Sequence, residues 1–144
     1  MPTLTPEELR EAKRRKAEER RSQEARLIEE DRRERERMAR ESELQEKHTQ
    51  LENYVSGIYD EIAKLSTKWP TQPVSTLALE KTNRAIRSAR ELLAGEKDEY
   101  LDEINELISA GDNPEARDVV MALRQVKDAL VRMENRHRRA WRGF

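Results

Sequence analysis

The chain has 144 residues and a formal net charge of -1, with 41% charged, 35% hydrophobic and 4% aromatic residues, so its apolar share falls well under the roughly 45–50% of ordinary globular domains. Four glycines and five prolines argue against a β-sandwich, a barrel or a doubly wound α/β fold, and the composition reads as long, solvated helices. No cysteine is present, which removes disulfides and thiolate chemistry, and neither a bilayer-spanning apolar run nor a signal-peptide core occurs; a cytoplasmic protein with no membrane partner is expected.

The first helix begins at Leu4-Thr5-Pro6-Glu7-Glu8-Leu9. Thr5 is placed to cap, Pro6 suits the first helical position and Glu8 completes a capping box, with Leu4 and Leu9 as a hydrophobic staple. No glycine follows until Gly57 and no further proline until Pro70, so one helix is expected from about Pro6 to about Ser66. Up to Glu43 it has no apolar stripe, since Ala12, Ala17, Ala25, Leu27, Ile28 and Met38 do not share a face. Acid-to-base pairs four residues apart take its place: Glu11/Arg15, Glu29/Arg33, Asp31/Arg35 and Glu36/Arg40. Each contributes about 0.2–0.5 kcal/mol, enough together to support an exposed helix. Residues 1–43 read as a charged helical arm.

From Leu44 the pattern changes to a packing seam of Leu44, His48, Leu51, Val55, Ile58, Ile62 and Leu65, spaced alternately four and three apart. The stretch Thr67 to Ser75 holds Pro70 and Pro73 and reads as a loop, with Ser75 or Thr76 as the next cap. A second helix is expected from Thr76 to Ala110, with Leu79, Thr82, Ile86, Ala89 and Leu93 on one stripe and Tyr100, Ile104 and Leu107 on another. Gly95 between them either ends the helix or is passed at a cost of about 1 kcal/mol; with no proline or cap-type residue directly after it, continuity or a mild kink is favoured. Gly111 ends that helix, and Asn113-Pro114-Glu115 starts a third, from Pro114 to Trp141. Its stripe of Ala116, Val119, Leu123, Val126, Leu130, Met133, His137 and Ala140 is unbroken.

A very short connection at Gly111 makes the last two helices an antiparallel hairpin. The fold class is therefore all-α: a long charged N-terminal helical arm leading into an antiparallel three-helix bundle or coiled coil over residues 44–144, with a basic C-terminal tail. The expected core is Leu51, Val55, Ile58, Ile62, Leu65, Ile86, Leu93, Ile104, Leu107, Val119, Leu123, Val126 and Leu130.

Little in this chain resembles catalytic machinery. There is no phosphate-binding glycine loop and no nucleophile elbow, and a narrow bundle leaves little room for a water-excluding site. Glu134-Asn135-Arg136-His137 matches the Glu-x-x-His unit of di-iron bundles, but those need two such units plus two further glutamates, and Gln45 stands three residues before His48. No metal, cofactor, small-molecule substrate or enzymatic activity is expected.

Charge is the remaining signal. Five basic and nine acidic residues lie between Thr76 and Asp112, and eight basic and four acidic from Asn113 onward. The hairpin would set Arg84, Arg87 and Arg90 beside the C-terminal run, giving one basic surface of Lys81, Arg84, Arg87, Arg90, Arg136, Arg138, Arg139, Trp141 and Arg142, with Lys68 and Trp69 nearby. Arginines beside an aromatic suit phosphate contact and stacking. The acidic group of Asp98, Glu99, Asp102, Glu103 and Glu106 is expected at the opposite end. Two functions follow: a non-enzymatic helical interaction protein, acting as an adaptor or assembly subunit with a protein partner or as a homo-oligomer, and, as the alternative, a nucleic-acid-binding accessory protein using the basic, Trp-containing end.

Overall fold

The computed structural model describes residues 3–107 and 114–143. The fold is all-α, with three helices packed as a bundle: α1 over Pro6–Lys68, α2 over Thr76–Leu93 and α3 over Ala116–Trp141, plus one 3-10 turn at Leu101–Glu103. No helix among the described residues is long and apolar enough to cross a membrane. The chain divides into two compact units, residues 1–40 and 41–144.

In the first unit α1 starts as its capping residues require. Thr5 N donates to Glu8 Oε2 at 3.2 Å and Glu8 N to Thr5 Oγ1 at 3.3 Å, so two otherwise orphaned amides are satisfied reciprocally. Of residues 3–40 all but Ala12 and Glu29 are exposed. The helix has no face to bury and carries its own charge pairs, Glu29 with Arg33 at 3.2 Å and Asp31 with Arg35 at 3.1 Å. Arg32 adds a bridge from Glu29 to Glu36.

The second unit is built on the seam. His48, Leu51, Val55, Ile58 and Ile62 of α1 are buried, against Leu79, Thr82, Ala85, Ile86, Ala89 and Leu93 of α2 and Val119, Leu123, Val126, Ala129, Leu130 and Met133 of α3. Of the expected core, Leu65 and Leu107 are only partly buried, and the rest are inside. Val74 and Trp141 join them. Val74 lies in the expected loop, and its side chain enters the core because that loop is tied to the start of α3.

That tie sets the direction of the helices. Ala116 N donates to Gln72 O at 2.9 Å, Arg117 N to Pro70 O at 3.0 Å and Val74 N to Pro114 O at 3.1 Å. The amides opening α3, which have no partner within their own helix, are thus satisfied by the carbonyls of the α1–α2 loop. α3 consequently begins at Ala116, two residues later than Pro114, with Glu115 as its cap and Glu115 N bonded to Asp118 Oδ2 at 3.3 Å. α2 and α3 start side by side and run the same way, both antiparallel to α1.

The expected helix from Thr76 to Ala110 is not formed. α2 stops at Leu93, where Ala94 N turns to Glu91 O and Glu96 N to Leu93 O. The chain then folds back along α2. Asn83 Nδ2 donates to Leu107 O at 3.0 Å and Asn83 Oδ1 accepts from Leu107 N at 2.8 Å, Arg90 donates to the carbonyls of Leu101 and Ile104, and Ile104 is 2% exposed in the core. A returning strap replaces the expected hairpin, because it seats Ile104 while bringing Glu96 and Asp98 to α3. The expected turn at Gly111 lies outside the described residues.

Replacing Leu123 or Ile58 by alanine is expected to cost about 2–5 kcal/mol in urea denaturation, and Ile104→Ala in the same range because it fills the core from the strap. Ile28→Ala, at 70% exposure, should change stability by no more than about 0.5 kcal/mol. An Ile104→Ala effect as small as that of Ile28→Ala would show the strap undocked.

Candidate functional site

The nine residues expected to form one basic surface do not come together, because α2 and α3 run parallel. Lys81 and Arg84 are exposed on α2, and Arg84 lines a groove of about 510 Å³ between α1 and α2, with Leu44, Lys47, Leu51, Tyr54, Glu91 and Leu92. Arg87 pairs with Glu106 at 3.3 Å. Arg90 is spent on the carbonyls of the strap. Arg136 pairs with Glu96 at 2.9 Å and lies 3.6 Å from Asp98. Arg138, Arg139 and Arg142 remain exposed on the last turn of α3 and just beyond it, with Arg138 donating to Asn135 Oδ1 at 2.7 Å. Trp141 is 7% exposed and faces inward. Lys68 and Trp69 lie at the other end of the bundle, where the following loop meets the start of α3, and not near the C-terminal run as expected.

The acidic group is relocated as well. Asp98 does not sit far from the basic tail but accepts two hydrogen bonds from Arg132, both at 3.1 Å, and its side chain has no solvent exposure. Burial alone would raise its pKa; the Arg132 hydrogen bonds, the Tyr100 amide at 2.9 Å and the charges of Arg132 and Arg136 outweigh it and hold the carboxyl below its ordinary value. Arg132 also lies over the Tyr100 ring at 4.9 Å.

Beside this pair is a second polar cluster that spans all three parts of the unit. His137 stands between two carboxylates, Nδ1 at 2.7 Å from Glu41 Oε2 on α1 and Nε2 at 2.5 Å from Glu96 Oε1 in the strap. Glu41 Oε2 also accepts from Trp141 Nε1 at 3.0 Å. The Trp141 ring stacks on His137 and tilts against His48, each with centroids 5.1 Å apart. Burial disfavours the imidazolium, but the hydrogen bonds to Glu96 and Glu41 and their charges prevail, so the His137 pKa is raised. A carboxylate faces each nitrogen, an arrangement that favours the protonated ring, in which both nitrogens donate. This cluster clamps α1 and the strap onto α3.

Glu41 and Glu96 were not singled out in the sequence, although a signal for Glu41 exists: it lies one heptad before His48, on the seam that continues through Val55 and Ile62. Glu41 also belongs to the second unit, ahead of the pattern change at Leu44. The Glu134-x-x-His137 spacing does not build a shared site, because both nitrogens of His137 are occupied. Glu134 instead meets His48 and Glu52, and the three offer ligand atoms within 4.8 Å of one another.

Comparison with known protein families, with curated proteins and with solved structures finds no match.

A group whose pKa is raised on folding stabilises the protein below its unfolded value and loses that contribution as the pH rises through the folded value. The stability difference between the wild type and His137→Gln should therefore be greatest near pH 6, close to the unfolded value of about 6.5, and shrink toward pH 9. Asp98 has the opposite sign: its contribution is present above about pH 4 and is lost as the pH falls through the lowered folded value. At neutral pH, Asp98→Asn should cost about 1–3 kcal/mol by removing hydrogen bonds to a charged group. Urea melts across the pH range check both.

Proposed function

We propose that the protein is a non-enzymatic helical interaction protein, an adaptor or assembly subunit, and that its first unit is the element that meets a protein partner or a second copy. One observation carries this: over residues 6–40 the chain is continuously helical and yet all but two of its residues are exposed. A helix that is polar all round and held by its own charge pairs is suited to bridging or docking rather than to a core. Its basic and acidic residues alternate along the surface, and Leu9, Leu27, Ile28 and Met38 stand exposed among them. Such a mixture supports a partner of mixed charge, where opposite charges set register and a few apolar side chains supply anchors.

A second reading, nucleic-acid binding, is favoured by a narrower observation: Arg138, Arg139 and Arg142 are exposed and no ion pair among the described residues engages them. It draws less support than the nine-residue surface would have given, because Arg87 and Arg136 are paired with Glu106 and Glu96, Arg90 is bonded to the strap and Trp141 is buried.

The test compares the full chain with a fragment of residues 37–144, which keeps one helical turn ahead of Glu41. The fragment should melt cooperatively near the temperature of the full chain. Sedimentation should show self-association, or complex formation with a partner co-purified from source cells, for the full chain only. Equal association by both would remove the first unit from the function. For the second reading, affinity for DNA or RNA should fall with salt, and the Arg138, Arg139 and Arg142 triple change to glutamine should flatten that slope by about two to three units. Equal weak binding by wild type and triple variant dismisses it.

A further inference from the structure

His48 is 3% exposed in the seam of α1, and its Nε2 lies 2.7 Å from the carbonyl oxygen of Leu130 on α3. A carbonyl only accepts, so Nε2 carries the proton and donates, and in the neutral ring Nδ1 is left with a lone pair. Nδ1 looks toward Glu52 Oε2, one turn further along α1, at 3.6 Å. That is beyond hydrogen-bond reach. Glu134 approaches from α3, and the ligand atoms of all three side chains lie within 4.8 Å of one another. Three electron-pair donors converge here. Among the described residues no lysine or arginine forms an ion pair with Glu52 or Glu134 to balance them.

We propose that His48, Glu52 and Glu134 form a binding site for a divalent cation, with Zn2+ the best match, that joins α1 to α3. One imidazole and two carboxylates are a donor set that zinc accepts at bond lengths of about 2.0–2.2 Å, leaving a fourth position for water. The Nε2–H to carbonyl bond supplies the second-shell contact that fixes the tautomer and ring direction of a metal-bound histidine. A tetrahedral ion with such bonds needs its ligand atoms about 3.3 Å apart. The buried histidine need not move, since the exposed glutamates can close the difference by changing rotamer; the Glu52 side chain is 53% exposed. The neighbouring His137 is a different case, because both its nitrogens already face carboxylates at hydrogen-bond distance.

Full-length protein stripped with a chelator and titrated with Zn2+ in a calorimeter should show one saturable site per chain. Co2+ in its place should give a visible d–d absorption, and either ion should raise the melting temperature. Glu52→Gln and Glu134→Gln should each weaken Zn2+ binding by at least about tenfold and leave the metal-free melting temperature unchanged, because both side chains are exposed. Asp128→Asn, an exposed acid on the same helix outside the cluster, should bind as the wild type does. The absence of a saturable site in the wild type, or equal affinity in Glu134→Gln and wild type, would overturn the proposal.

Discussion

The architecture of the second unit depends on one buried carboxylate. Asp98, with no side-chain exposure, is held by Arg132 and flanked by Arg136 on α3. An unpaired charge in that position would cost several kcal/mol, whereas one paired with two guanidiniums and bonded to a backbone amide is tolerated. Meeting that condition requires the chain to leave α2 at Leu93 and cross to α3, and Glu96 then reaches Arg136 and His137 on the way. The end of α2 and the return of the strap along Asn83 and Arg90 go with this anchoring, while the bonds between the α1–α2 loop and the start of α3 set the parallel course of α2 and α3.

The same pairing changes what the charges are available to do. In an antiparallel hairpin, Arg84, Arg87 and Arg90 would have repelled the C-terminal arginines and left a surface in want of an anion. In the folded chain the acidic strap supplies that counter-charge internally. Among the charges that stay open to solvent are those at the end of α3, Lys81 and Arg84 on α2, and the balanced charge of the first unit, where pairs such as Asp31 with Arg35 support the helix without burying anything.

The two histidines show how strongly environment decides chemistry within one stack of rings. Both touch Trp141 and both lie on seam positions. His137 has carboxylates at each nitrogen, and they raise its pKa against the effect of burial. His48 has a backbone carbonyl at one nitrogen and turns the other toward two acids, with Glu52 beyond hydrogen-bond reach. The first arrangement closes the bundle through hydrogen bonds; the second leaves a coordination position.

Much of this was legible in the residues. The capping box at Thr5, the helix through Gly57, the cap at Ser75 and the seam from His48 to Ile62 are local patterns, and local patterns persist because they depend on neighbours three and four residues away. The bare charge on residues 6–40 was equally readable, since no stripe existed to bury. The direction of α2 relative to α3 was not, nor the fate of Asp98, Glu96 and Trp141. Whether a helix continues through Gly95 is worth about 1 kcal/mol locally, less than the stake in burying Ile104 and pairing Asp98 with partners more than 30 residues away. Periodicity sees which face a helix must bury and cannot see which distant charge that face will meet; that choice belongs to the tertiary structure.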